Sequence, residues 1–254
     1  MKKYIYFLLS HIVVLALFIA CTEDSTVPTT AGTTVADIDG NLYHSVTIGT
    51  HTWMVENLKT THYRNGDAIA VVTDNTAWKS LLTGARCDYY NDATNGTKYG
   101  HLYNFFAVID SRNIAPVGWH VATDAEWTTL TDYVSLHLGT SQSVAKALAA
   151  TSDWTAYSDL ETVGCNLTMN NSTGFSALPC GCRSSEDGKF YGLDTSGYWW
   201  SSTQDDSTYA QYSVVTARYR SMYFNFSYVN TLHSINEIYG YFRQQGFSVR
   251  CVKD

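Results

Sequence analysis

The spacing of hydrophobic positions changes at Thr123. Before it, Pro116 and Gly118 mark a turn, and Trp119-His120-Val121 reads as a short extended piece with large side chains to bury. After it, Trp127, Leu130, Val134 and Leu138 recur at helical spacing and share one face. Thr123 and Glu126 have the spacing of a capping box: the hydroxyl accepts from the amide three residues on, and the carboxylate reaches back. Asp124 and Glu126 also suit the positive end of the helix dipole. Gly139 is a natural stop. The pattern predicts a helix over residues 124–138 with Trp127 buried at its start.

Tyr99 to Ile109 carries Leu102, Phe105, Phe106 and Ile109 at helical spacing and predicts an earlier helix. The Ala-rich stretch from Ser143 to Ala150 predicts a short third one. Asp39-Gly40, inside Asp37 to Asn41, is a hairpin signal. Tyr43 to Ile48 alternates, turns at Gly49-Thr50 and returns through Thr52-Trp53-Met54. Gly197 to Ser202 reads as a buried strand. Tyr209 to Val215 and Arg218 to Phe226 read as further strands, and Phe247 to Val252 as the closing one. From Ser152 to Phe190 helical periodicity is lost and Gly, Asn, Ser and Thr dominate. Loops this long in a compact domain are usually functional or stapled. The fold class is α+β: short twisted antiparallel sheets, two to three helices and long loops.

The N-terminus reads differently. Lys2 and Lys3 precede an apolar run from Tyr4 to Ala20, short for a stable spanning helix. The run ends Phe18-Ile19-Ala20-Cys21. A small residue before a cysteine at this place resembles a bacterial lipoprotein signal, with Phe18 standing where Leu is usual. The resemblance implies a leader over residues 1–20 and a palmitate-bearing lipid anchor at Cys21 that makes the membrane a partner. Thr22-Glu23-Asp24-Ser25 resembles the surface-export signal of Bacteroidetes lipoproteins, which implies an exposed position on the outer membrane. Thr26 to Thr34 is rich in Thr, Ala and Gly, so residues 21–35 read as a flexible tether and residues 36–254 as one domain.

Charged residues make up only 15% and aromatics 14%, with 19 Tyr, so a sizeable core still leaves Tyr and Trp for the surface. The net charge of −7 argues against a nucleic-acid partner, which needs a basic face. Of 6 Cys, all but Cys21 fall in the domain: Cys87, Cys165, Cys180, Cys182 and Cys251. An odd number leaves at least one unpaired or intermolecular. Cys180 and Cys182, two apart on a strand, are expected on one face and not bonded to each other.

Several ordered motifs then add up. They are Asp39-Gly40-Asn41-x-Tyr43; Ile48-Gly49 with Trp53 and Glu56-Asn57-Leu58; Gly100-x-Leu102-Tyr103-Asn104; and Pro116-x-Gly118-Trp119-His120-Val121 with Asp124-Ala125-Glu126-Trp127. Gly174-Phe175-Ser176-Ala177-Leu178-Pro179, Gly197-Tyr198-Trp199-Trp200-Ser201-Ser202 and Gly246-Phe247-Ser248-Val249-Arg250-Cys251-Val252 complete the set. Together they resemble the Fibrobacter succinogenes major paralogous domain, over about residues 36 to 254. More distantly, the segments are similar to the C-type lectin-like fold shared with formylglycine-generating enzymes. The resemblance implies a C-type lectin-like domain. Many members of the family carry Cys where this chain has Ala115. If that Cys pairs with the terminal one, Cys251 has lost its partner here, and Cys180, in a place usually held by Gly, is a candidate to compensate.

His120 and His101 are conceivable metal or catalytic groups. A structural role with one hydrogen bond each is preferred, because no second His or carboxylate lies at ligand spacing. Cys180-x-Cys182 lacks the second pair of a zinc site. Formylglycine-generating chemistry needs two late cysteines, and Cys251 stands alone. Asp205-Asp206 offers oxygens to a hard cation, with a solvated acidic turn the preferred reading. Calcium-type lectins place Asn and Asp after the Trp, where this chain has Ser201-Ser202. No phosphate loop and no Gly-x-Ser-x-Gly elbow occurs. Trp154, Tyr157 and Tyr191, in the loop region, are the candidate rings for a sugar- or protein-binding face, with packing of the fold as the other reading. The expected function is recognition of a glycan or a surface protein, without catalysis, metal or cofactor. An oxidase-related enzyme and a structural surface protein without a specific ligand are the alternatives.

Overall fold

A computed structural model describes residues 27–138, 142–209, 214–232 and 243–254. The first strands are β1 (Thr29–Ala31), β2 (Val35–Ala36), β3 (Leu42–Tyr43), β4 (Ser45–Ile48) and β5 (His51–Met54). Then come β6 (Ala70–Val71), α1 (Asn75–Lys79), β7 (Ala85–Cys87), α2 (Ala93–Tyr99), β8 (Leu102–Tyr103) and α3 (Phe105–Val108). β9 (Trp119–Val121) leads into α4 (Asp124–His137), followed by α5 (Val144–Leu148). β10 (Cys180–Arg183), β11 (Phe190–Leu193), β12 (Ser196–Tyr209), β13 (Val214–Tyr223) and β14 (Asn230–Leu232) build the second half, and β15 (Cys251–Lys253) ends the chain.

Two five-stranded sheets dominate. The first has the order β1-β4-β5-β15-β9, so the last strand sits between elements from the first half of the chain. The second has the order β11-β10-β12-β13-β14. Its pairs are antiparallel except β10 with β12, which meet in parallel at Gly181 and Gly197. Among the described residues no helix is long and apolar enough to cross a membrane.

β12 separates two cores, because successive side chains of a strand point to opposite faces. Trp199 enters a cluster with Trp53, Trp127 and Phe175, roofed by Leu130 and Val134 of α4 and Leu148 of α5. Its rings interlock, Trp53 lying 4.9 Å from Trp127 and Trp127 5.7 Å from Phe175. Trp200 enters a second cluster with Phe105, Tyr219 and Phe247, its ring 4.5 Å from that of Phe247.

Three fully buried arginines brace these cores, a feature the hydrophobic pattern did not expose. Arg250 donates to Asn57 Oδ1 at 2.7 Å and to the carbonyls of Met54, Phe175 and Ser176. Burial pushes its guanidinium down to about 10. Arg183 donates to the carbonyls of Gly188, Val72 and Thr73 and lies over the rings of Trp78 and Phe190. Arg220 bonds Asp124 at the start of α4, and Arg218 adds a 2.9 Å bond to the same carboxylate. Burial alone would raise the Asp124 carboxyl; the two guanidinium groups outweigh it and hold it below its ordinary value.

The helix at Thr123 forms as the pattern predicts, with both halves of the capping box in place and Trp127, Leu130 and Val134 buried. It ends at His137, and Gly139 lies outside the described residues. The third helix is shorter than expected, Val144 to Leu148.

Other expectations need correction. The helix over Tyr99 to Ile109 does not exist as one element. α2 ends at Tyr99, Gly100 adopts φ 81°, β8 pairs with β7, and α3 starts anew with Asn104 accepting from the Ala107 amide at 3.0 Å. Gly100 packs so tightly that a Cβ there would meet Asn57 Cβ at 2.8 Å and the Leu58 carbonyl at 2.9 Å. Close packing against another segment, not local periodicity, breaks the run. With α1 and α2 the described residues contain five α-helices instead of two to three.

Residues 27–35, expected to belong to the tether, are docked on the domain. Val27 is buried in the first core, β1 pairs with β4, and Gly32 N donates to the Ser45 carbonyl at 2.7 Å. Polar composition hid an edge strand that docks through its backbone. The strand expected over Tyr209 to Val215 is split: Tyr209 ends β12 and faces Val214 at the start of β13.

Candidate functional site

The second sheet, with the segment before β15, borders a pocket of about 220 Å³ lined by Tyr191, Tyr198, Tyr219, Tyr223 and Phe247, with Cys182, Ser184, Glu186 and Gln245 as its polar members. Alternation along β12 sends Tyr198 to the face opposite Trp199. On β13, Tyr219 and Tyr223 share one parity. Cross-strand pairing sets Tyr219 beside Trp200 and Tyr223 beside Ser196. Tyr198 stacks on Phe247 at 5.1 Å with the planes 13° apart, so the pocket floor continues into the second core. The Tyr198 and Tyr223 hydroxyls hydrogen-bond at 3.0 Å. Burial pushes the Tyr198 hydroxyl well up, so it stays a neutral donor and acceptor.

Tyr191 stands on the opposite wall. It pairs with Cys182 in the β10–β11 hairpin and is half exposed. Its hydroxyl donates to Asp187 Oδ2 at 2.6 Å, which orients the ring and holds the Asp187 carboxyl below its ordinary value. The hairpin requires glycine at Gly181, where φ is 61° and a Cβ would lie 2.5 Å from the Tyr191 carbonyl. This left-handed residue also parts the two cysteines expected on one face: Cys180 belongs to the first core and Cys182 packs against the second.

No Lys or Arg among the described residues lines the pocket. Burial pushes the Cys182 thiol up to about 12 and raises Cys180, Cys87 and Cys251 as well. All five described cysteines are free. Cys180 accepts from Ser248 Oγ at 3.1 Å and sits in the first core, whereas Cys251 and Ala115 lie in the second, so Cys180 does not stand in for the missing partner.

The three rings singled out in the sequence part company. Tyr191 lines the pocket. Trp154 is 4% exposed, donates to the Ala177 carbonyl at 3.0 Å and belongs to the first core; it cannot offer a face to a ligand. Tyr157 is partly exposed but outside the pocket, its ring edge-on to Phe224 at 5.3 Å. Tyr198, Tyr219 and Tyr223, in strands, and Phe247, in the bridge segment before β15, were missed because those stretches read as core. The signal was the shared parity of Tyr219 and Tyr223 across from Gly197-Tyr198-Trp199-Trp200.

His120 differs from its expected single hydrogen bond. Nδ1 bonds Asp254 and Nε2 bonds Glu126, each at 2.7 Å, through carboxylates that sequence spacing did not bring near. His101 has one partner of this kind, Asp88 at 2.5 Å. The side chains of Asp205 and Asp206 lie outside the described residues, as does Cys21. Among the described residues no group of three or more His, Cys, Asp or Glu side chains is placed to hold a metal ion. Ser201 and Ser202 are already engaged: Ser201 Oγ accepts from the Thr203 amide and Ser202 Oγ donates to the Val121 carbonyl, each at 2.9 Å.

Fold and pocket together define an α+β domain with a tyrosine-lined cavity on its second sheet. The chain belongs to the Fibrobacter succinogenes major domain family, whose model matches residues 46–253. No match was found among curated proteins, and none among solved structures.

Proposed function

We propose that this protein is a cell-surface lipoprotein of C-type lectin-like architecture that recognises a glycan through the tyrosine-lined pocket, without catalysis and without calcium. The pocket carries the reading. Aromatic faces with hydroxyl, amide and carboxylate groups between them suit a sugar, which offers C–H faces to rings and hydroxyls to hydrogen-bonding groups. The raised thiols support a binding role over oxidase chemistry, since the thiolate is the reactive form. The engaged Ser201 and Ser202 support calcium independence, because such a site needs 6–8 oxygen ligands. A short anchor through Cys21 would hold the domain at the outer membrane.

A screen of the domain starting at residue 27 against immobilised glycans and against surface proteins tests the reading, with Tyr223→Ala as counter-screen. Glycan binding lost in Tyr223→Ala is the expected result. Binding to a protein alone, or glycan binding that Tyr223→Ala leaves intact, would overturn it.

A further inference from the structure

The pocket contains two polar groups whose bonding capacity the protein leaves unfilled. Gln245 lines it and is only 4% exposed. The Ser185 amide donates to its Oε1 at 3.3 Å, which leaves Nε2 as the free end of the side chain, without an acceptor among the described residues. A buried donor without a partner is uncommon in a folded protein. The second group is Glu186, which follows Ser185 in the chain and so stands beside Gln245. Its amide donates to Ser184 Oγ at 3.0 Å and Lys189 pairs with Asp187, while the Glu186 carboxylate has no partner among the described residues.

Gln245 lies between two pinned residues. The Gln244 carbonyl accepts from Trp78 Nε1 at 2.6 Å, and Gln244 Nε2 donates to the Leu81 carbonyl at 2.8 Å. Gly246 exchanges two backbone bonds with the buried Arg183, at 2.8 and 2.9 Å. A Cβ at Gly246 would meet Arg183 Cβ at 2.9 Å and the Trp78 ring at 3.0 Å, so this backbone has no slack. The Gln245 amide is therefore set before a ligand arrives, and little side-chain entropy is lost on binding. Phe247, two residues on, begins the aromatic wall that Tyr198 and Tyr219 continue. Donor, acceptor and apolar wall thus meet in one small cavity.

We infer that the pocket selects an N-acetylated hexosamine, with the acetamido carbonyl accepting from Gln245 Nε2, its N–H donating to the Glu186 carboxylate and its methyl against the aromatic wall. This rests on the glycan reading of the pocket. The common substituents of a sugar ring separate on this set of groups. An ammonium carries donors alone and would set N–H against the Gln245 N–H. A carboxylate carries acceptors alone and would face Glu186, with no described Lys or Arg in the lining to offset it. A hydroxyl can serve the donor or the acceptor but offers nothing to the rings. An acetamido group engages all three, and its carbonyl gives the buried amide the partner that the protein withholds.

The test is a titration of the protein, followed by saturation-transfer NMR, with N-acetylglucosamine and N-acetylgalactosamine beside glucose, galactose, glucosamine and glucuronate. At least one acetamido sugar should bind about tenfold tighter than its parent hexose, and its methyl protons should receive the strongest saturation. Gln245→Glu keeps the acceptor for the Ser185 amide and removes the donor; it should lower that preference by about three- to tenfold. Glu186 is exposed, so Glu186→Ala should lower the same preference with an unchanged thermal midpoint, and it decides the matter if Gln245→Glu does not fold. A parent hexose bound as tightly as its acetamido form, tighter binding of glucosamine or glucuronate, or a preference that survives either substitution would overturn the inference while leaving the pocket reading in place. Failure of all these sugars to bind would overturn it as well, and if no glycan in the wider screen binds either, the pocket reading falls with it.

Discussion

Arg250 Nε donates to Asn57 Oδ1 at 2.7 Å across 193 residues of chain, both side chains buried. The same Oδ1 accepts from Trp199 Nε1 at 2.9 Å, and Asn57 Nδ2 donates to the Tyr99 carbonyl at 2.8 Å. One amide therefore ties the Glu-Asn-Leu turn to the Trp-Trp strand and to the closing segment. Asn57→Leu would leave a buried guanidinium N–H and an indole N–H without their acceptor. Such losses cost about 3–5 kcal/mol when a buried charge is involved. Urea unfolding should register a loss of that size; a change within about 0.5 kcal/mol, as for an ordinary surface substitution, would mean the node is not structural.

Trp127 and Thr123 should separate packing from capping. Trp127 is buried 4.9 Å from Trp53, and truncation of a core Trp costs about 3–5 kcal/mol. Thr123→Ala removes one half of the capping box at about 1 kcal/mol. Denaturant midpoints that fall equally for the two variants would place the helix differently.

His120 gives the fold a pH dependence with a definite sign. Burial acts to lower its ring, but hydrogen bonds to Asp254 and Glu126 outweigh it and raise the ring above its ordinary 6.5. A group raised on folding contributes stability that is fully present below the unfolded value and is lost as pH rises through the folded one. The thermal midpoint should therefore decline above about pH 6.5, and His120→Gln should flatten that decline. A profile rising over the same window, or unchanged by the substitution, would contradict the pairing. Glu126 works from the other side: burial acts to raise it, bonds from Thr123 and His120 hold it below 4.5, and its contribution is lost as pH falls through that lowered value.

How much of this was legible beforehand follows from where each signal lives. The helix after Thr123 is written locally, in a cap and a 3.6-residue stripe, and it stands as expected. Gly100 and Asn104 broke an equally regular stripe because a neighbouring segment and a side-chain cap outcompeted periodicity. Residues 27–35 look like tether because β1 docks through its backbone and leaves its side chains exposed. Tyr198 was hidden for a different reason. Alternation tells that Tyr198 and Trp199 face opposite ways, but not which face opens to solvent. Asn57 and Arg250 carry no local sign of partnership, since their bond depends on β15 lying beside β5.

The proposed anchor at Cys21 is tested apart from the fold. Cys21→Ala should abolish palmitate labelling and leave the precursor unprocessed; a mutant still labelled would remove the lipoprotein reading. Surface display, which rests on Glu23 and Asp24, predicts that protease added to intact cells cleaves the domain.

The most direct measurement of the central claim is a calorimetric titration of the domain with whichever glycan the screen returns, run in calcium and again in EDTA. Wild-type affinity should be the same in both buffers, and Tyr191→Ala and Tyr223→Ala should each weaken it by about tenfold, as expected for a lost ring contact together with its buried area. Binding that vanishes on chelation and returns with calcium, or that survives both substitutions, would contradict the account.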